Sequence, residues 1–183
     1  YNHQFKWKNY RLYYSLKYSK VNDYIEGEIA EYNTQGNQVL KYKLQEESEI
    51  DNYNLSLINK FYLNDIDLEF ITLGTIINSQ SNYITYGDHF DYPTKLRTDR
   101  NTPFNQNSFI QQFNTKYHLS ANSLFTLRTQ YSAVKSGEKE RTQFVYNHDN
   151  DAYYFNTQDF LDNHVFSNDH KENQIAGNFE YEY

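Results

Sequence analysis

Residues 52–77 read NYNLSLINKFYLNDIDLEFITLGTII, and their alternation constrains this chain more than any other feature. Tyr53, Leu55, Leu57, Phe61 and Leu63 form one apolar stripe, and Ile66, Leu68, Phe70, Gly74 and Ile76 form the next. Asn54, Ser56 and Lys60, then Asp67, Glu69 and Thr75, fall between them. A period of two places alternate side chains on opposite faces of an extended strand, and it cannot place them on one face of a helix. Asn64-Asp65 between the stripes is a tight-turn dipeptide, so the segment is expected to be a β-hairpin with one apolar and one wet face. The question is what the apolar face meets: a second protein layer or hydrocarbon.

The same period recurs. Leu12, Tyr14, Leu16 and Tyr18 share a face, as do Leu40, Tyr42 and Leu44 opposite Lys41 and Lys43. Ile25, Gly27 and Ile29 oppose Glu26 and Glu28. Phe109, Phe113, Tyr117 and Leu119 oppose Gln112, Asn114, Lys116 and His118. Phe125, Leu127, Tyr131 and Ala133 oppose Thr126, Arg128, Gln130 and Ser132. The end of the chain sets Ile175, Phe179, Tyr181 and Tyr183 against Asn178, Glu180 and Glu182. No segment has a helical period, and the longest apolar run is far too short for a transmembrane helix.

Composition sharpens the choice. Mean hydropathy is -0.96, and 20 Tyr with 13 Phe outnumber Leu, Ile and Val combined. Tyrosine carries an apolar ring and a polar tip, which suits interfaces better than a sealed core. Membrane β-barrels share this bias, because their interior is wet and their rims are aromatic. The net charge of -7 argues against a general nucleic-acid binder, which needs a basic surface. With no Cys, the chain has neither disulfides nor thiolate metal sites. It also lacks Met and starts inside a patterned segment, which reads as a mature or truncated piece.

Connections separate barrel from sandwich. Asn64-Asp65 and 120–123 are tight turns, whereas 80–106 and 137–171 are polar stretches holding both prolines and much of the Asn, Asp and His. Such an asymmetry, short turns at one end and long loops at the other, is systematic in outer-membrane barrels. The expected fold is therefore all-β: an antiparallel up-and-down transmembrane β-barrel, or part of a larger one, spanning 1–183 as a single domain. It would have short periplasmic turns and long extracellular loops near 80–106 and 137–171. Six strands result if 10–32 and 38–63 are each one strand. Splitting both where their apolar parity switches gives eight, and a β-bulge or the end of a lipid belt would produce that switch.

YYSLKYSKVNDYI at 13–25, the return strand ending NYNLSLINKFYL, and KENQIAGNFEYEY at 171–183 resemble barrel segments of TonB-dependent receptor-type outer-membrane proteins of Bacteroidota. The resemblance lies in long, Asn- and Tyr-rich strands over most of the chain. It implies a location in the bacterial outer membrane and a part in nutrient uptake. It also implies outer-membrane lipid as a partner, with further barrel or surface lipoprotein subunits and a small nutrient ligand. Plug and TonB box would then lie outside these residues. A final strand ending in an aromatic, here Tyr183, is similar to the segment that barrel-assembly machinery reads.

The candidate site residues follow from placement. Tyr83, Tyr86, Tyr92, Tyr153 and Tyr154, with Phe90, Tyr146 and Phe155, are loop aromatics that would stack on a sugar or peptide. Lys60, Asp67, Glu69, Lys116 and Arg128 fall on the wet parity and are expected to line a lumen; at mid-depth in lipid a charge such as Arg128 would cost about 2–4 kcal/mol. His148, Asp149, Asp151 and His164, in a stretch that also holds Asp159, Asp162, Asp169 and His170, carry the ligand types that suit Zn²⁺ or Ca²⁺. They lack the sixth-position Gly and twelfth-position Glu of a calcium loop. Asp88, His89 and Asp91 form a similar group. There is no Gly-rich phosphate loop and no nucleophile elbow, so no catalytic residue and no cofactor are assigned and the chain is not expected to be an enzyme. Two other functions remain open: a soluble secreted β-sandwich binding carbohydrate through loop aromatics, and a structural outer-membrane assembly subunit.

Overall fold

The computed structural model describes residues 1–89, 93–120, 122–156 and 163–183. These form one antiparallel sheet of eight strands: β1 (Asn2–Trp7), β2 (Tyr10–Tyr32), β3 (Gln38–Leu63), β4 (Ile66–His89), β5 (Lys95–Ser120), β6 (Ser123–Asp149), β7 (Ala152–Phe155) and β8 (His164–Glu182). Neighbours in sequence pair in up-and-down order from β1 to β6. β7 and β8 then lie end to end along the free edge of β6, β7 on residues 146–149 and β8 on residues 124–143. Among the described residues β1 and β8 do not pair, so the sheet is open.

The all-β, antiparallel, up-and-down expectation holds, and two details differ. Residues 80–89 belong to β4 and 95–106 to β5, while 137–149 belong to β6 and 164–171 to β8. The long polar stretches are thus mostly strand. Alternation fades there because the few apolar residues are divided between both faces, yet main-chain ladders need no apolar side chains. The strand count of eight also arises differently. β2 and β3 stay in register from Tyr10↔Phe61 to Glu31↔Leu40, so neither strand splits at its parity switch. The two additional strands are the short β1 and β7.

The continuous register assigns every side chain to a face. On the front face, near the short-turn end, lie Tyr10–Tyr18 of even parity, Tyr53–Leu63 of odd parity, and their partners across the sheet. One row reads Tyr10, Phe61, Leu68, Thr115, Leu127, Phe179, and another reads Leu16, Leu55, Gly74, Phe109, Ala133, Asn173. Beyond the row of Tyr18, Tyr53 and Ile76 the front face becomes polar, starting with Lys20, Asp51 and Asn78. Toward the far end the aliphatic residues appear on the back face instead, where Leu44, Thr85, Thr98 and Val145 form one row. Leu96 and Val145 are the buried apolar residues there, next to buried Thr85. The parity switch read in β2 and β3 is this exchange of faces, with no bulge behind it.

A bulge does exist, in β6. Asn101 pairs with Thr142 and Phe104 with Glu138, so three residues of β6 oppose two of β5. On the other side Glu138 pairs with Asn168 and Arg141 with Phe166, again one residue too many in β6. Glu140 takes the excess, at φ 56°, and its N–H donates to Ser167 Oγ at 3.1 Å. Pro103, which has no N–H to give, sits in the matching gap of β5. A Cβ on Gly137 would lie 2.2 Å from the Asn168 carbonyl oxygen, so only glycine fits where the bulge draws β6 and β8 together.

Candidate functional site

The polar side of the short-turn half gathers the charged residues expected to act together. Lys60, Glu69, Asn114 and Arg128 form one row across β3–β6, and Asp67 with Lys116 the neighbouring row, all on the back face. Lys60 Nζ is 2.6 Å from Glu69 Oε1, and Asn114 Nδ2 donates to Glu69 Oε2 at 2.9 Å. Asp67 faces His118 Nε2 at 3.5 Å, and Arg128 faces Glu180 of β8 at 3.7 Å. Gln112 Nε2 donates to Gln130 Oε1 at 2.7 Å one row further. The charges alternate in sign and cancel locally, which gives a hydrated, roughly neutral surface rather than a field of one sign.

The opposite side is apolar and bare. Its stripes run over 10–18, 53–63, 66–76, 109–117, 125–133 and 175–183, each nine or eleven residues long. Leu16, Leu55, Ile76, Phe109, Tyr131 and Phe179 are all exposed, because no second layer covers them. Ring contacts run along the rows at Tyr10–Phe61 and Phe70–Phe113, both 4.8 Å between centroids, and diagonally between rows at Phe125–Phe179, 4.3 Å. Tyr18 and Tyr53 close the stripes, their rings 4.8 Å apart, with Tyr18 Oη donating to Asp51 Oδ1 at 2.6 Å. Just beyond, Lys20 Nζ donates to Glu49 Oε1 at 2.6 Å, a bond that raises the lysine above its ordinary pKa.

The far end brings aromatic and cationic residues together on the front face. Tyr86 (β4), Arg97 (β5), Tyr146 and His148 (β6) and Tyr153 (β7) meet through the register Tyr86↔Arg97↔Tyr146 and His148↔Tyr153. Tyr86 Oη is 3.3 Å from His148 Nδ1, the His148 and Tyr153 rings are 4.8 Å apart, and the Tyr146 and Phe155 rings are 4.9 Å apart. The Arg97 guanidinium stands 5.3 Å over Tyr153, and Lys95 Nζ 5.6 Å over Tyr86. Asp99 accepts from Arg97 Nε at 2.7 Å, and this bond holds the guanidinium above its ordinary pKa.

Tyr86 and Tyr153 are thus brought together, and both lie on strands. Tyr154, next to Tyr153, points to the other face of β7. Tyr83 lies on the back face of β4, where Arg100 stands 5.5 Å over its ring. Phe90, Asp91, Tyr92, Asp159 and Asp162 lie outside the described residues. The metal candidates separate: His148 joins the aromatic cluster, Asp149 ends β6, Asp151 lies in the β6–β7 turn, and His164 pairs with Gln143 at the start of β8. No group of three His, Asp or Glu side chains suited to a metal forms among the described residues. Lys95 and Arg97 escaped sequence reading, because treating 80–106 as loop hid the period-two placement of Lys95, Arg97 and Asp99 opposite Tyr86. Comparison with protein families and with characterised proteins finds no match, so the residues themselves carry the functional reading.

Proposed function

We propose that this chain forms wall of a transmembrane β-barrel of the bacterial outer membrane, of TonB-dependent receptor type, serving nutrient uptake. One observation carries the reading. Six adjacent strands each present a mainly apolar stripe spanning nine or eleven residues, broken at Asn59, Thr72, Gln111, Thr115 and Thr129, on the same face and in register, with no second layer over it among the described residues. A tilted strand needs 9–11 residues to cross the hydrocarbon core, and a bare, mainly apolar surface of this extent marks a membrane or protein contact. Opposite the stripes, the Lys60–Glu69–Asn114 ladder would face the lumen, and the Tyr86–Arg97–Tyr153 cluster would stand outside the bilayer, where a small polar nutrient first meets the protein. The soluble sandwich needs a second layer over the front face, and the described residues form a single layer.

The test is physical behaviour of the purified chain. It should require detergent, insert into phosphatidylcholine vesicles, and migrate differently on gels before and after boiling. A monodisperse, detergent-free monomer would overturn the reading.

A further inference from the structure

We propose that the front face holds an anionic lipid: the acyl chain in a trough across the strands and the phosphate between Lys135 and Lys171. This rests on the membrane reading above. The trough has a volume of about 1170 Å³ and lies where small side chains lower the face, Gly74 and Ala133 between Leu55, Ile76 and Phe109. Leu16, Leu55, Ile76 and Phe109 make it apolar over β2–β5, Asn107 and Asn173 begin its polar end over β5–β8, and it lies along the last rows before the front face turns polar.

Lys135 and Lys171 line that end. They pair directly across β6 and β8, so their side chains leave the same face as nearest neighbours. Two like charges so placed repel. Both are exposed, and neither makes an ion pair or side-chain hydrogen bond among the described residues. Asp169, two residues along the same face of β8, bonds to neither. On the same face Lys20 is bonded to Glu49 and Lys41 lies 3.8 Å from Glu28, while Lys43 stands directly across from Glu28 and Lys95 over the Tyr86 ring; Lys135 and Lys171 differ in facing each other. An uncompensated lysine pair at the polar edge of an apolar trough matches one ligand chemistry, a phosphate carrying a hydrocarbon chain. Neither half alone explains both features: free phosphate would not use the trough, and a zwitterionic lipid would leave the lysines opposed.

The experiment uses the full chain, inserted first into phosphatidylcholine vesicles, then extracted in mild detergent and titrated with dioleoylphosphatidylglycerol or dioleoylphosphatidylcholine while bound lipid is counted by native mass spectrometry. One phosphatidylglycerol should be retained in preference to phosphatidylcholine, and inorganic phosphate should not displace it. The Lys135→Gln/Lys171→Gln variant should lose roughly 30-fold in that preference. Gly74→Phe, which fills the trough and leaves both lysines, should weaken retention of either lipid. Lys41→Gln/Lys43→Gln should change nothing. Equal retention of the two lipids, or a double variant that keeps the preference, overturns the proposal while the barrel reading stands. A chain that enters no vesicle overturns both.

Discussion

Three glycines and one glutamate show how far single residues are constrained by the ladder around them. A Cβ on Gly87 would lie 1.9 Å from the Lys41 carbonyl oxygen, a distance no rotamer change relieves, whereas Gly27 has open space around it. Gly87→Ala should therefore lower stability by at least about 1–3 kcal/mol, read as a lower urea midpoint for unfolding from vesicles, and Gly27→Ala should leave the midpoint near the wild type. Glu140 sits at φ 56° without glycine's freedom. Glu140→Gly should raise stability by about 1 kcal/mol in the same titration, and the converse change at Gly137, to Ala, should lower it. None of these positions was visible in the sequence. Local strain depends on which backbone approaches which, and that is fixed by partners 27 or more positions away.

At the scale of the strand the sequence was most informative where one face is apolar. The hairpin of 52–77 reads correctly down to its Asn64-Asp65 turn, because alternation and turn chemistry agree. Reading failed where neither face carries a continuous apolar stripe: 80–89, 95–106 and 137–149 looked like loop, and only pairing with neighbouring strands shows them as ladder. The face assignment makes a paired prediction on β3. Leu57 lies on the front face and Ser56 on the back. Leu57→Arg should cost about 2–4 kcal/mol of folding free energy in vesicles, since a charge would then sit at mid-depth in hydrocarbon. Ser56→Arg, one position away, should cost less than about 1 kcal/mol. Equal costs would mean that the front face does not meet lipid. At the far end, Tyr153→Ala and Arg97→Ala should weaken binding of a polar ligand while lowering the unfolding free energy by no more than about 1 kcal/mol, because each removes one edge of a half-buried cluster at the sheet surface.

For the whole molecule, the candidate site was legible in part. The sequence placed Lys60, Asp67, Glu69, Lys116 and Arg128 on one side by parity alone, and the register puts them there. It also named Tyr86, Tyr153 and His148, but for two different purposes, stacking and metal binding, while the fold joins them in one cluster. Their meeting depends on β7 doubling back over the end of β6, through a turn in which Asn150 and Asp151 both take positive φ.

The strands outrun their apolar stripes. In β3 the stripe covers 53–63, while 40–52 continue the same unbroken ladder for another thirteen residues. At roughly 3.3 Å per residue that adds about 43 Å of stiff hydrophilic sheet along the strand. On a cell surface such a palisade would act as a standoff. In the proposed membrane orientation, a polysaccharide, an antibody or a phage tail would strike the hairpin tips tens of ångströms before reaching lipid, so selection by outside agents would fall on the tips and leave the apolar stripes untouched.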